Sequence, residues 1–146
     1  MYPFHPLTVH LPIGLLLGNA LLTVLYLRRG DHTLETGAFH CLWLGWLGTL
    51  LAIAAGTFDA ARQVLAPINP RSDALGWINA HALTGLALLV VYWQAWQIRR
   101  RDPSVLDNPA GRRGYLARLA LGVGLLVLDG WLGGHLVYSL RLGVIP

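Results

Sequence analysis

The chain has no lysine, one cysteine and few charges of any kind, with only 12% of its 146 residues ionised outside histidine. Ordinary soluble domains carry roughly 25%. So small a set cannot cover a globular surface, which excludes a free water-soluble monomer. Disorder is excluded as well, because 55% of the residues are hydrophobic and unfolded segments need the reverse balance. The single Cys41 rules out an internal disulfide and a Cys-x-x-Cys-His haem attachment. Its apolar neighbours make it a buried inert thiol and not a nucleophile. No Gly-x-Ser-x-Gly, phosphate loop or dinucleotide fingerprint occurs. No nucleophile is paired with a base along the chain, so catalysis by this chain alone is not expected.

What the chain does have is long uncharged runs. A membrane-spanning helix needs about 20 mostly apolar residues, and its backbone must be hydrogen-bonded within the segment. Four runs qualify, about Pro12–Arg28, Ala38–Phe58, Trp77–Ile98 and Tyr115–Tyr138. They predict an all-α fold, an up-down-up-down four-helix transmembrane bundle forming one domain over residues 1–146. The links between them carry Gly30, Pro67, Pro70, Pro103 and Pro109, which are turn residues. No basic region or small-residue cleavage site opens the chain, so no cleaved signal peptide is expected.

Four spans put both termini and the 59–76 link on one face, and the other two links on the opposite face. Eight of the eleven arginines (28, 29, 99, 100, 101, 112, 113 and 118) fall on that opposite face. Arginine-rich loops are cytoplasmic. The expected location is therefore a bacterial inner membrane with both termini periplasmic. A juxtamembrane arginine run of this kind sets topology and does not indicate a nucleic-acid partner.

Ionisable residues inside spans are candidates for function. His5, His10, Asp59, His81, Asp129 and His135 come from all four helices, and the topology gathers them at the face that carries the termini. His10 and Gly14, like His81 and Gly85, form His-x-x-x-Gly, with the glycine one helical turn from the imidazole. The first and third helices of such a bundle are diagonal partners. His10 and His81 therefore suit the axial positions of one b-type haem, with His135 as substitute and Arg62, Arg71 and Arg141 available to the propionates. The rival is a zinc or copper site on His10, His81, His135 and Asp59, oriented by Asp129. The bland alternative is a polar closure with no cofactor. Gly14-x-x-x-Gly18 and Gly130-x-x-x-Gly134 read as helix-packing motifs. Asn19, Thr49, Thr57 and Thr84 read as interhelical hydrogen-bond groups, and the tryptophans as an interfacial belt.

The opening His5-Pro6-Leu7-Thr8-Val9-His10-Leu11-Pro12-Ile13 and the closing Gly133-Gly134-His135-Leu136-Val137-Tyr138 resemble the end motifs of a family of small membrane proteins, domain of unknown function 2231. Ala55-Gly56-Thr57-Phe58-Asp59 and Asn79-Ala80-His81-Ala82-Leu83 resemble its inner motifs. The resemblance covers the whole chain and departs at Ser139-Leu140-Arg141-Leu142. It implies a redox-associated membrane subunit, with other membrane redox subunits or a periplasmic electron carrier as partners beside the lipid bilayer. The expected function is thus electron transfer through haem b near the outer face.

Overall fold

The structure, a computed structural model, describes residues 4–65 and 74–142, and these residues form an all-helical bundle. A short helix α1 (His5–Thr8) leads through Val9 into α2 (His10–Arg29). Then come α3 (His32–Leu65), α4 (Leu75–Arg101) and α5 (Pro109–Gly134), which ends in a π-helical turn, His135–Ser139. Among the described residues, four stretches are long and apolar enough to cross a membrane: His5–Arg29, His32–Arg62, Leu75–Arg101 and Pro109–Ser139. The protein is an integral membrane protein.

Each helix outruns the apolar run that announced it, because it continues through polar residues until a local stop or cap. Gly30 ends α2 at φ +69°, and its N–H closes on the Tyr26 carbonyl at 2.8 Å. Asp31 starts α3, its carboxylate accepting the Thr33 N–H at 2.8 Å. That bond holds the Asp31 carboxyl below the usual carboxylate range. Asn108 accepts the Ala110 N–H at 3.1 Å ahead of α5, with Pro109 at the first helical position.

The main helix pairs are α2 on α3 and α4 on α5. Contact of α3 with α4 and of α5 with α2 closes the ring and leaves α2 and α4 diagonal. The buried positions explain this packing. On α2 they are Pro12, Leu16, Asn19, Thr23 and Tyr26. On α4 they are Leu88, Tyr92, Ala95 and Arg99, and α5 supplies Tyr115, Leu119, Gly122 and Leu126. Glu35, Ala38, Leu42, Thr49 and Ala52 do the same on α3. Steps of three and four sum to seven, the repeat that keeps one stripe of a helix against its neighbour in left-handed packing.

Lipid is as apolar as leucine, so close packing and hydrogen bonds between helices hold such a bundle together. Asn19 Nδ2 donates to the Ala38 carbonyl at 2.9 Å, and the Trp46 indole donates to the Leu89 carbonyl at 3.2 Å. Thr49, Thr57 and Thr84 instead bond carbonyls four residues back on their own helices. Trp46 sits within a cluster with Trp93 and Trp96, at centroid distances of 5.0 and 5.6 Å.

Of the packing glycines expected, Gly18 does face α3, a Cβ there lying 3.6 Å from Cys41 Sγ, but the tightest approaches fall elsewhere. A Cβ on Gly14 or Gly130 would meet nothing, whereas one on Gly45 would lie 2.7 Å from Leu16 and one on Gly122 2.7 Å from the Tyr92 ring. Tyr92 is fully buried against that backbone. Gly122→Ala is expected to destabilise the bundle by ~1–3 kcal/mol through overpacking, and Gly14→Ala to leave it within ~0.5 kcal/mol. Thermal unfolding in detergent measures both.

Candidate functional site

The two ends of the bundle differ sharply, and the histidine end is built on the seams just described. The seven-residue repeat on α2 extends back from Tyr26 through Asn19 and Pro12 to His5. On α4, His81 lies seven residues before buried Leu88, and on α5, Asp129 lies seven after buried Gly122. The α3 repeat reaches Ala52, Gly56 and Asp59. All four helices thus aim a polar or small position at one point.

The contacts there form a chain. His5 Nδ1 lies 2.8 Å from the Ala52 carbonyl oxygen, and the His5 backbone N–H donates to Asp59 Oδ2 at 2.8 Å. His5 Nε2 lies 3.4 Å from His81 Nε2, the rings meeting nearly edge-on at 71°. His81 Nδ1 lies 2.8 Å from Asp129 Oδ1. Small residues make room for the rings. A Cβ on Gly56 would stand 3.0 Å from His5 Nδ1, and one on Gly133 3.3 Å from His81 Cε1.

The His5 contact sets one tautomer. A carbonyl oxygen only accepts, so His5 Nδ1 carries its hydrogen. His81 Nδ1 and Asp129 Oδ1 stand at ion-pair distance, 2.8 Å, without hydrogen-bond geometry. The two Nε2 atoms face each other, and one ring donates to the other when its Nε2 carries a hydrogen. With both hydrogens on Nδ1, the two Nε2 lone pairs would face each other at 3.4 Å, an arrangement that a cation between them relieves. Among the described residues, no group of three or more His, Cys, Asp or Glu is placed to hold a metal ion.

The residues singled out in the sequence divide accordingly. His81, Asp59 and Asp129 belong to this end, and His5 takes the place beside His81 that His10 was expected to fill. His10 is exposed on α2, and Gly14, one turn along, faces open space. Gly85 lies near Asp129, a Cβ there falling 3.9 Å from Oδ2. His135 opens the π-helical turn and joins an aromatic group, 4.4 Å from the Trp77 ring and stacked on Trp131 at 18°. Arg62 stands 3.8 Å from Asp59 and over the Phe58 ring. Arg141 is exposed with φ +52°, and Arg71 lies outside the described residues.

The opposite, arginine end holds a buried network that charge counting missed. Arg99 lies on the α4 seam, 8% exposed, and pairs with Glu35 of α3, 7% exposed. Arg99 also donates to the Pro103 carbonyl, and Glu35 meets His32 Nδ1 at 2.9 Å. The spacing of seven from Tyr92 to Arg99 is the signal that would have found it.

The whole chain, residues 1–146, matches a family described as predicted membrane protein (DUF2231). No curated protein and no solved structure matches.

Proposed function

The chain belongs to this DUF2231 family of predicted membrane proteins, and we propose that it is a membrane subunit that holds one transition-metal ion, zinc or copper, on His5 and His81. The observation that carries the reading is the direction of the four ring nitrogens. Both Nδ1 atoms lie 2.8 Å from oxygens, and the two Nε2 atoms converge at 3.4 Å. Metal-bound histidines characteristically donate their other N–H to a carbonyl or carboxylate. Two nitrogens bound to one zinc ion at a tetrahedral angle sit ~3.4 Å apart.

With two donors from these rings, the other positions are open to water or to a partner's side chain. That openness favours an ion that is exchanged or that passes electrons, over a closed structural site. Copper would make the chain an electron-transfer subunit. A b-type haem gains less support, since His10 is exposed. Axial nitrogens on opposite sides of an iron would also lie ~4 Å apart, with a macrocycle between them. Arg28, Arg29, Arg100, Arg101, Arg112, Arg113 and Arg118 flank the arginine end, which supports a reading with the histidine end on the outer side of a bacterial inner membrane. A redox subunit or electron carrier would meet it there.

The test is elemental analysis of detergent-purified protein after exposure to zinc or copper and dialysis. One ion per chain is expected, falling about tenfold or more in His5→Gln or His81→Gln and unchanged in His10→Gln. Wild-type protein without stoichiometric metal overturns the proposal. An absorption spectrum with a Soret band at one haem per chain replaces it with the haem reading.

A further inference from the structure

An open cavity in the surface, about 260 Å³, lies at the arginine end, lined by Tyr26, Leu27, Gly30, Leu106, Asp107 and Arg112. Its walls are fixed. Gly30 closes α2 on the Tyr26 carbonyl. The α4–α5 loop is pegged by Val105 and Leu106, 1% and 2% exposed, and the Asp107 N–H donates to the Ser104 carbonyl at 2.8 Å. Asp107 Oδ1 accepts the Tyr26 hydroxyl at 2.5 Å, which orients the carboxylate.

The two charges lining the cavity do not neutralise each other. Among the described residues, no carboxylate lies within ion-pair distance of Arg112. Arg112 also stands in the first turn of α5, which contains no acidic residue. A cation there opposes the helix dipole, so its position does nothing for the helix unless an anion joins it. One wall therefore calls for an anion, and the other offers a carboxylate able to accept hydrogen bonds from an ammonium. The mouth lies where α2 leaves the apolar span. From Leu27, an exposed stripe of Val24 and Leu17 follows at helical spacing toward the hydrocarbon.

We propose that this cavity binds the headgroup of an amine-bearing zwitterionic phospholipid, its phosphate on Arg112 and its ammonium on Asp107, with the acyl chains along Leu27, Val24 and Leu17. Phosphatidylglycerol carries no amine, and phosphatidylcholine carries a quaternary nitrogen with no N–H to donate. Matched acyl chains on the three lipids isolate the headgroup.

The full-length protein is reconstituted with equal amounts of phosphatidylethanolamine, phosphatidylglycerol and phosphatidylcholine, and retained lipid is read by native mass spectrometry. Phosphatidylethanolamine is expected to be enriched about tenfold over either rival, the worth of one hydrogen bond between charged groups. Asp107→Asn should bring phosphatidylethanolamine down to the level of phosphatidylglycerol while keeping both above phosphatidylcholine. Arg112→Gln should abolish the enrichment. Both positions are at or near the surface, and an unchanged melting temperature in phosphatidylcholine shows that the variants fold. Retention of all three lipids in bulk proportion overturns the proposal. So does displacement of the lipid by free phosphoethanolamine at equal concentration, which would assign the cavity to a soluble zwitterion.

Discussion

Arg99→Met is expected to destabilise the protein by ~3–5 kcal/mol, because it leaves the Glu35 carboxylate buried without its cation. Glu35 and Arg99 are 7% and 8% exposed and face each other across the α3–α4 contact. In that setting neither charge can turn to water. Arg99 keeps a second partner in the Pro103 carbonyl, and Glu35 keeps one in His32, so the pair is well satisfied as it stands. The double variant Glu35→Leu, Arg99→Met removes both charges together and should recover most of the loss, since apolar replacements of a whole buried pair are often neutral or better. Chemical unfolding in detergent micelles measures the single and double variants. A single variant within ~1 kcal/mol of the parent would show that the pair is solvated and idle. The Asn19–Ala38 bond is a milder comparison, since interhelical hydrogen bonds in membranes average ~0.6 kcal/mol.

The same seam residue shows what the sequence made legible and what it concealed. Four spans were readable because a bilayer demands about 20 apolar residues per crossing, and few sequences supply that by chance. Arg99 was read as a loop cation because it follows an apolar run and precedes Arg100 and Arg101. Its rotation about the helix settles the matter. It lies seven residues beyond Tyr92, on the stripe facing α3, whereas Arg100 is exposed. His5 and His10 differ for the same reason. Five residues at 100° each would put them about 140° apart on a continuous helix, and across the α1–α2 junction only His5 shares the seam of Pro12, Asn19 and Tyr26. The His-x-x-x-Gly pattern drew attention to His10 and Gly14, yet a local spacing says which residues share a face and nothing about whether that face is turned inward. The convergence of His5, Asp59, His81 and Asp129 at one end did follow from counting spans, because it depends on height in the membrane and not on rotation. His135 has the right height and the wrong rotation, six residues or about 240° beyond Asp129, which turns it to Trp77 and Trp131.

Asp129→Asn is expected to weaken metal binding about 10- to 100-fold while leaving the fold intact. Asp129 touches no ion in the proposed arrangement. It acts through His81, its carboxylate 2.8 Å from Nδ1 favouring the tautomer that leaves the Nε2 lone pair free toward His5. Asparagine is nearly the same shape but uncharged. It can accept the same hydrogen while no longer raising the basicity of the ring, and it can rotate its amide to donate instead, which would favour the wrong tautomer. Affinity for zinc is read by competition with a chelator of known strength, beside the melting temperature of the metal-free protein. A positioning role predicts a large loss of affinity with little change in metal-free stability. A purely structural role predicts the opposite, a lower melting temperature and unchanged affinity. His5 has no carboxylate on its ring. Its Nδ1 is held by the Ala52 carbonyl, which belongs to the backbone and cannot be removed by substitution. The His81 side of the pair is therefore the one on which affinity is tunable, and Asp129 is where such tuning should show.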